Sequence, residues 1–352
     1  MTAAGGWLPW AQAMAAALYD PEHGYYAGGP RRIGRQGDFY TAVSVGPLYG
    51  RLLADHAALR WQAWGRPETW WLAEQAAHDG QLMQDVLTAL VEHHPELAAR
   101  ARPVLVEPQT GYEAVQRARL GVAWAGEMSW VRSVAELPGG SGLFICNELL
   151  DAFPAHRVRR EGGQWRELGV ALGGGGLEWQ SRELTTPELR AETERLPEEL
   201  PEGYVTEIQI APLDWLRALA GSAFRGEVWI ADYGLDAEDY WSLERPEGTL
   251  RRYFQHRMDD RVLEDWGKAD LTCHVNLTRL QQEAQSLGFT LLEDSDQGLL
   301  LTRLAAPWLQ SLEGRPPDAA ARALLRQFQT LTHPGLMGRA FRVLRLACPR
   351  QG

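Results

Sequence analysis

Four short apolar runs, separated by longer amphipathic stretches, limit the folds open to this chain. Each run has the length of a buried strand, and the stretches between the early runs have the apolar spacing of helices. Strands joined by helices pair in parallel, because a parallel connection needs a long crossover. The pattern predicts a doubly wound α/β sheet with strands at residues 70–73, 103–106, 142–146 and 227–231 and helices at residues 80–93 and 110–120.

The flanking segments carry further patterns of the same two kinds. They predict helices at residues 8–18, 47–64, 187–196 and 276–287, closing strands at 289–292 and 298–301, and helical packing at 307–328. Two polar strand-like pieces interrupt the core between Asp151 and Phe224. We therefore expect an N-terminal helical or lid segment at 1–66, a core at 67–304 with an insertion at about 152–225, and a C-terminal helical tail at 305–352 that closes on the core.

Charge and composition exclude several classes of protein. The 352 residues carry 35 Lys and Arg against 46 Asp and Glu, a net charge of −11, which argues against a nucleic-acid partner. No apolar run approaches the ~20 residues that span a bilayer, and the first ten residues lack the pattern of a signal peptide. Three scattered cysteines imply neither disulfides nor a metal site. We expect a cytoplasmic protein without a membrane or metal partner.

Acidic and amide side chains follow several of the predicted strands. In an open parallel sheet, ligands bind beyond the carboxyl ends of the strands. A carboxylate after the second strand is where nucleoside-binding folds hold a ribose diol, and Glu107 has that place. The pattern predicts a binding site at this edge, formed from Glu74, Glu107, Asn147, Glu148, Asp151 and Asp232.

Short motifs occur in a fixed order along most of the chain. They include Tyr19-Asp20-Pro21, Gly24-Tyr25-Tyr26, Gly37-Asp38-Phe39, Asn147-Glu148, Asp232-Tyr233-Gly234, Gly248-Thr249-Leu250 and Asp270-Leu271-Thr272. In order and spacing they resemble the MidA-like methyltransferases, a family that uses S-adenosylmethionine and includes a mitochondrial complex I assembly factor that methylates arginine. The resemblance implies a class I methyltransferase fold, an α/β Rossmann-like doubly wound sheet with an N-terminal helical segment and an inserted α/β subdomain. It also implies S-adenosylmethionine as cofactor, a protein substrate and a homodimer.

The resemblance also implies roles for individual residues. Glu148 and Asp151 would hold the substrate, and the cofactor would be held by Glu74, Ala76, His78, Gly80, Glu107 and Asn147. A guanidinium group is planar and always charged, so paired carboxylates suit it. From the residues alone, Glu148 could instead cap the next helix, and Asp151 could be solvated or paired with Arg157.

One departure from the family lies in the loop after the first strand. The family's loop reads Glu-x-Gly-Pro-Gly-x-Gly, and its glycine positions fall here on Ala76, His78 and Gly80. Glycine allows a close backbone approach and a positive φ, which other residues adopt at a cost. Three functions therefore stay open: a protein arginine methyltransferase, a degenerate homologue that acts as an assembly or binding partner, and a small-molecule methyltransferase.

Three further residues allow two interpretations each. His256 and His274 lie in segments that resemble the family and could order the acidic pocket or accept a proton, but a lone histidine is usually a structural hydrogen-bonding group. Trp130 could lie near an adenine or simply fill the core.

Overall fold

The computed structural model describes residues 6–27, 41–255, 257–314 and 316–349. These residues form two compact units. The insertion unit comprises Met1–Gly28, Leu150–Leu216 and Gly234–Glu283, and the sheet unit comprises Gly29–Leu149, Arg217–Tyr233 and Ala284–Gly352. The two units have other boundaries than the predicted divisions at residues 66 and 304, and those divisions stay a prediction.

The strands and helices alternate along much of the chain. The strands are β1 (Trp7–Pro9), β2 (Trp70–Gln75), β3 (Ala101–Val106), β4 (Ser129–Val131), β5 (Gly140–Asn147), β6 (His156–Glu161), β7 (Gln164–Gly173), β8 (Gly176–Arg182), β9 (Val205–Ile208), β10 (Phe224–Asp232), β11 (Gly234–Leu235), β12 (Arg251–Phe254), β13 (Arg257–Asp259), β14 (Asp270–Thr272), β15 (Val275–Asn276), β16 (Thr290–Asp296) and β17 (Arg342–Ala347). The helices are α1 (Trp10–Tyr19), α2 (Ala42–Val45), α3 (Leu48–Ala63), α4 (Gln81–His93), α5 (Pro95–Ala98), α6 (Thr110–Ala123), α7 (Pro187–Thr193), α8 (Ala211–Gly221), α9 (Ala237–Tyr240), α10 (Leu277–Ser286), α11 (Gln297–Ser311) and α12 (Ala319–Thr332).

The sheet unit is built on a seven-stranded sheet with the order β16-β17-β10-β5-β2-β3-β4. The five strands from β10 to β4 pair in parallel, and β17 runs antiparallel to both of its neighbours. Gln75 at the end of β2 lies in register with Val106 of β3 and Cys146 of β5, so these strands end at one edge. The doubly wound α/β sheet and its four predicted strands are confirmed.

Helices cover this sheet because their apolar residues recur on one face. On α4 the buried residues include Leu82, Val86 and Leu90, spaced four apart. They join a core cluster that also contains Leu52 of α3 and Leu72 of β2. Each fully buried leucine contributes about 1.5–3 kcal/mol to the free energy of folding. This packing therefore holds α4, and the loop that precedes it, against the sheet.

The insertion unit has sheets of its own. Strands β1, β7, β6 and β9 pair antiparallel in that order, and β8 pairs with β7. The sequence predicts two strand-like pieces after Asp151, whereas the four strands β6 to β9 form there. The N-terminal strand β1 also joins this sheet, with Leu8 opposite Val170. A core that includes Val158, Leu189 and Tyr204 holds the unit together.

The C-terminal part corrects one prediction and supplies a strand that the sequence analysis missed. The predicted strand at 298–301 is wrong, because these residues belong to α11. The buried residues of α11 recur at helical spacing, at Leu301, Ala305 and Trp308. The missed strand, β17, lies between β10 and β16, where Arg345 bridges its neighbours by donating to Glu227 and Glu293, each at 2.7 Å. Because Arg342 and Arg345 interrupt its apolar residues, β17 does not read as a buried strand in the sequence.

Some predictions fall outside the described residues. Residues 28–40, which include Gly37-Asp38-Phe39, are among these, and so is His256. None of the helices in the described part of the chain combines the length and apolar character that crossing a bilayer requires.

Candidate functional site

Two buried acceptors lie at the ends of adjacent strands in the sheet unit. Glu74 is the penultimate residue of β2 and is 2% exposed, and Asn147 ends β5 and is 7% exposed. Within the described residues, Glu74 Oε2 and Asn147 Oδ1 find no hydrogen-bond partner. Burial raises the pKa of Glu74 from 4.5 to about 8. Unpaired buried acceptors are costly, so this edge is suited to a ligand that donates hydrogen bonds.

The loop that follows β2 keeps a left-handed backbone although two glycines are replaced. The φ angles are +63° at Ala76, +48° at His78 and +86° at Gly80. A side chain in this region costs roughly 1–2 kcal/mol. The substitutions that the sequence analysis singled out therefore change the side chains of the loop but retain the left-handed conformation that favours glycine.

Polar contacts hold this loop in place. The His78 carbonyl accepts a hydrogen bond of 2.9 Å from Gln116 Nε2 on α6. Asp79 accepts from Arg119 and also from the backbone N–H of Gln81 in the first turn of α4. Burial alone would raise the pKa of Asp79, but hydrogen bonding to His78 and the charge of Arg119 lower it. The strained conformation is thus anchored on two helices.

Glu107 lies at the next strand end and is 7% exposed. Its Oε1 accepts from the Gln109 N–H and its Oε2 from Gln116 Nε2, both at 2.9 Å. Burial raises the pKa of this carboxyl, against the hydrogen bonds from Gln109 and Gln116. Since a carboxylate oxygen can accept two hydrogen bonds, Glu107 keeps capacity to bind a diol.

Glu148 directly follows β5 and is also left-handed, with φ of +53°. Its backbone N–H donates to the Ala231 carbonyl at 2.8 Å, and its Oε1 accepts from Asn147 Nδ2 at 2.9 Å. Strained non-glycine residues of this kind cluster at functional sites. The helix-capping interpretation of Glu148 is wrong, because the next helix, α7, begins only at Pro187.

Tyr49 of α3 was missed by the sequence analysis. It is fully buried, and its hydroxyl accepts a hydrogen bond of 3.3 Å from Trp229 Nε1. Burial, together with the charges of Glu148 and Glu74, raises its pKa well above the usual value. The neutral phenol lies near both carboxyls, and no motif in the sequence points to it.

Asp151 belongs to the insertion unit, where it is 5% exposed. Its carbonyl accepts from the Cys273 N–H at 2.9 Å. Burial, with a smaller contribution from the Asp151 charge, raises the pKa of Tyr26 and of Tyr253. In the same unit, burial and the charges of two arginines lower the pKa of His274 to about 4, so this imidazole is neutral at pH 7. Asp151 and His274 both belong to the insertion unit, whereas Glu148 belongs to the sheet unit.

Trp130 of β4 is half-buried and packs against the core, as the second of its two interpretations expects, and proximity to an adenine stays a prediction. Its Nε1 donates to Gln116 Oε1 at 2.9 Å, and the Arg117 guanidinium lies 3.8 Å from its ring centre. The ring thus borders the hydrogen-bonded group around Glu107.

Comparisons with known proteins show the family of this chain. A family model described as "Putative S-adenosyl-L-methionine-dependent methyltransferase" matches residues 52–293, more than half of the chain. The chain belongs to this family. Among curated relatives of this methyltransferase is the mitochondrial protein arginine methyltransferase NDUFAF7 homolog of Drosophila melanogaster, 28% identical over 377 residues that cover 96% of this chain and 81% of the relative. The rat protein arginine methyltransferase NDUFAF7 is 26% identical over 359 residues, covering 94% and 79%.

A solved structure from Burkholderia thailandensis gives the same result for the fold. It superimposes with a TM-score of 0.85 at 28% identity and covers 99% of this chain and 89% of that one. That protein contains bound S-adenosylhomocysteine. The class I methyltransferase fold and the S-adenosylmethionine cofactor are confirmed.

The residues of the sheet unit fit this cofactor. S-adenosylmethionine has an ammonium group and a ribose diol, both of which donate hydrogen bonds. The unpartnered acceptors Glu74 Oε2 and Asn147 Oδ1 suit the ammonium, and Glu107 suits the diol.

Proposed function

We propose that this S-adenosylmethionine-dependent methyltransferase methylates an arginine side chain of a protein. The observation that carries the proposal is Glu148, a partly exposed carboxylate with a strained backbone directly after β5. The relatives named protein arginine methyltransferases, from Drosophila melanogaster and rat, support the same acceptor.

In this proposal the edge of the sheet unit holds the cofactor. Glu74 and Asn147 bind its ammonium group, Glu107 binds its ribose diol, and the loop from Ala76 to Gly80 supplies backbone contacts. When bound, S-adenosylmethionine supplies a methyl group already activated on sulfonium. The chain therefore has to align the acceptor and exclude water rather than generate a strong nucleophile.

Glu148 holds the acceptor. Its carboxylate pairs with a guanidinium through charge-assisted hydrogen bonds, which orient the planar group. As the nitrogen–carbon bond forms and the carbon–sulfur bond breaks, the guanidinium nitrogen loses a proton, and we assign its acceptance to Glu148. Asn147 orients this carboxylate, because its Nδ2 donates to Glu148 Oε1. Asp151 keeps its predicted role of binding substrate.

A labelling experiment tests the acceptor. Soluble cell protein incubated with the enzyme and S-adenosylmethionine carrying a labelled methyl group is hydrolysed to amino acids. The proposal expects label in methylarginines, and it expects Glu148→Gln to abolish the label while S-adenosylhomocysteine affinity stays within about threefold. The exposed Glu127→Gln is the matched control and should keep activity.

Other outcomes point to the alternatives. Label in other amino acids, or in the small molecules of a whole-cell extract used in place of the protein fraction, contradicts the arginine proposal and favours a different acceptor. Loss of cofactor affinity in Glu148→Gln would assign Glu148 to cofactor binding instead. A wild-type enzyme that binds cofactor but labels nothing would favour a homologue that acts through binding alone.

A homodimer and a cytoplasmic location also remain proposals. The cysteines in the described part of the chain, Cys146, Cys273 and Cys348, are unbridged, which is compatible with a reducing compartment. Light scattering of the purified protein tests the dimer, and cell fractionation tests the location. The Drosophila and rat relatives are named as mitochondrial.

A further inference from the structure

One side chain connects the loop, the acidic strand end and the neighbouring strand of the candidate cofactor site. Gln116 lies on α6 and is 0% exposed. Its Nε2 donates to the His78 carbonyl and to Glu107 Oε2, and its Oε1 accepts from Trp130 Nε1, each at 2.9 Å. Both amide hydrogens are therefore used.

The orientation of this amide is determined by its partners. A backbone carbonyl can only accept and an indole N–H can only donate. Turning the Gln116 amide over would therefore face oxygen with oxygen at His78 and N–H with N–H at Trp130. Only one of the two orientations satisfies these buried groups, so the amide is a rigid connection.

We propose that Gln116 is the positioning residue of the cofactor site, holding the His78 peptide in its left-handed conformation and directing the Glu107 carboxylate toward the ligand. The proposal rests on the assignment of this edge to the cofactor. Position 78 has histidine where the family has glycine, and its φ is +48°. An L-residue leaves the left-handed region readily unless a contact holds it there. The Gln116 bond to the His78 carbonyl is such a contact.

A double-mutant cycle tests the connection. Gln116→Met keeps the length of the side chain and removes both donors. It is combined with His78→Gly, since glycine adopts a positive φ without help. Calorimetry with S-adenosylhomocysteine should give a tenfold or greater affinity loss for Gln116→Met alone, on the order of one lost charged hydrogen bond. In the His78→Gly background, the same substitution should cost clearly less.

A control separates positioning from stability. Leu90→Ala truncates a fully buried side chain on α4, nearly three turns from the loop, and should lower the melting temperature comparably while affinity stays within about twofold. If Gln116→Met does not fold, Gln116→Leu replaces it, because it also removes both donors and adds no ionisable group beside Glu107. The same affinity losses are then expected.

Contrary results can be assigned to their cause. If wild-type protein does not bind S-adenosylhomocysteine, or Glu107→Gln binds it equally well, the cofactor assignment fails and this inference fails with it. If both hold but the Gln116 variants stay within twofold of wild type, only the positioning role is overturned. The positioning role is also overturned if Gln116→Met lowers the affinity by the same factor in the wild-type and His78→Gly backgrounds. An equal loss of affinity in Leu90→Ala overturns it as well.

Discussion

The buried carboxyl of Glu74 should make the protein less stable as pH rises toward neutrality. Its side chain is 2% exposed, and burial raises its pKa from 4.5 to about 8. In the unfolded chain the carboxyl ionises near its ordinary value, so between these two pH values the folded state binds more protons. The free energy of unfolding therefore falls with rising pH. The loss amounts to about 3 kcal/mol at pH 7, at about 1.4 kcal/mol per pH unit.

Glu74→Gln removes this titration and keeps the shape of the side chain. Calorimetric melting of the ligand-free proteins between about pH 5 and pH 7.5 should show wild type losing stability relative to the variant as pH rises. Any constant cost of the amide shifts the variant's curve without changing this slope. Glu127→Gln, at an exposed position, is the control and should run parallel to wild type. Parallel curves for Glu74→Gln would refute the reasoning.

Three more predictions follow from buried or strained groups. Binding of S-adenosylhomocysteine at pH 7 should release the Glu74 proton to the buffer. Because phosphate and Tris differ in their heat of protonation, calorimetric titrations in the two buffers should give different binding enthalpies for wild type and equal ones for Glu74→Gln. Equal binding enthalpies for wild type contradict this. Ala76→Gly should change the free energy of unfolding by less than about 1 kcal/mol, because relief of backbone strain at φ of +63° offsets the added entropy of the unfolded chain. The neighbouring Ala77→Gly has no positive φ to relieve and should destabilise the protein more in denaturant unfolding. Equal decreases in the free energy of unfolding for the two variants contradict this. Burial would raise the pKa of Glu227, but hydrogen bonds from His56 and Arg345 lower it to about 2. Glu227→Gln should therefore lower the free energy of unfolding by about 3 kcal/mol or more at pH 7 in denaturant unfolding. The difference in stability between wild type and variant should narrow below pH 4.5, and a difference that does not change with pH contradicts this.

The central sheet could be predicted from sequence because its strands are buried on both faces. Such strands read as continuous apolar runs, and the helices between them keep their own period. Two errors came from the end of the chain. The apolar residues at 298–301 form part of a helix, and β17 carries Arg342 and Arg345, whose charges are paired with acids on its neighbours. Pairing across strands does not appear in a local pattern.

The sequence predicts which side chains lie at the strand ends, but not their backbone conformation. The acids at strand ends follow from the sheet topology, which the sequence indicates. Sequence cannot show that Ala76, His78 and Glu148 are left-handed, because that depends on contacts from elsewhere in the chain. The role proposed for Gln116 likewise depends on its contacts with His78, Glu107 and Trp130, which a local sequence pattern does not show.

Calorimetric titration of the purified protein with S-adenosylhomocysteine tests most directly whether the loop with Ala76 and His78 still forms a cofactor site. We expect saturable binding of one ligand per chain with a dissociation constant on the order of 10⁻⁶ M, roughly −8 kcal/mol. The absence of heat and of thermal stabilisation at about millimolar ligand would contradict it.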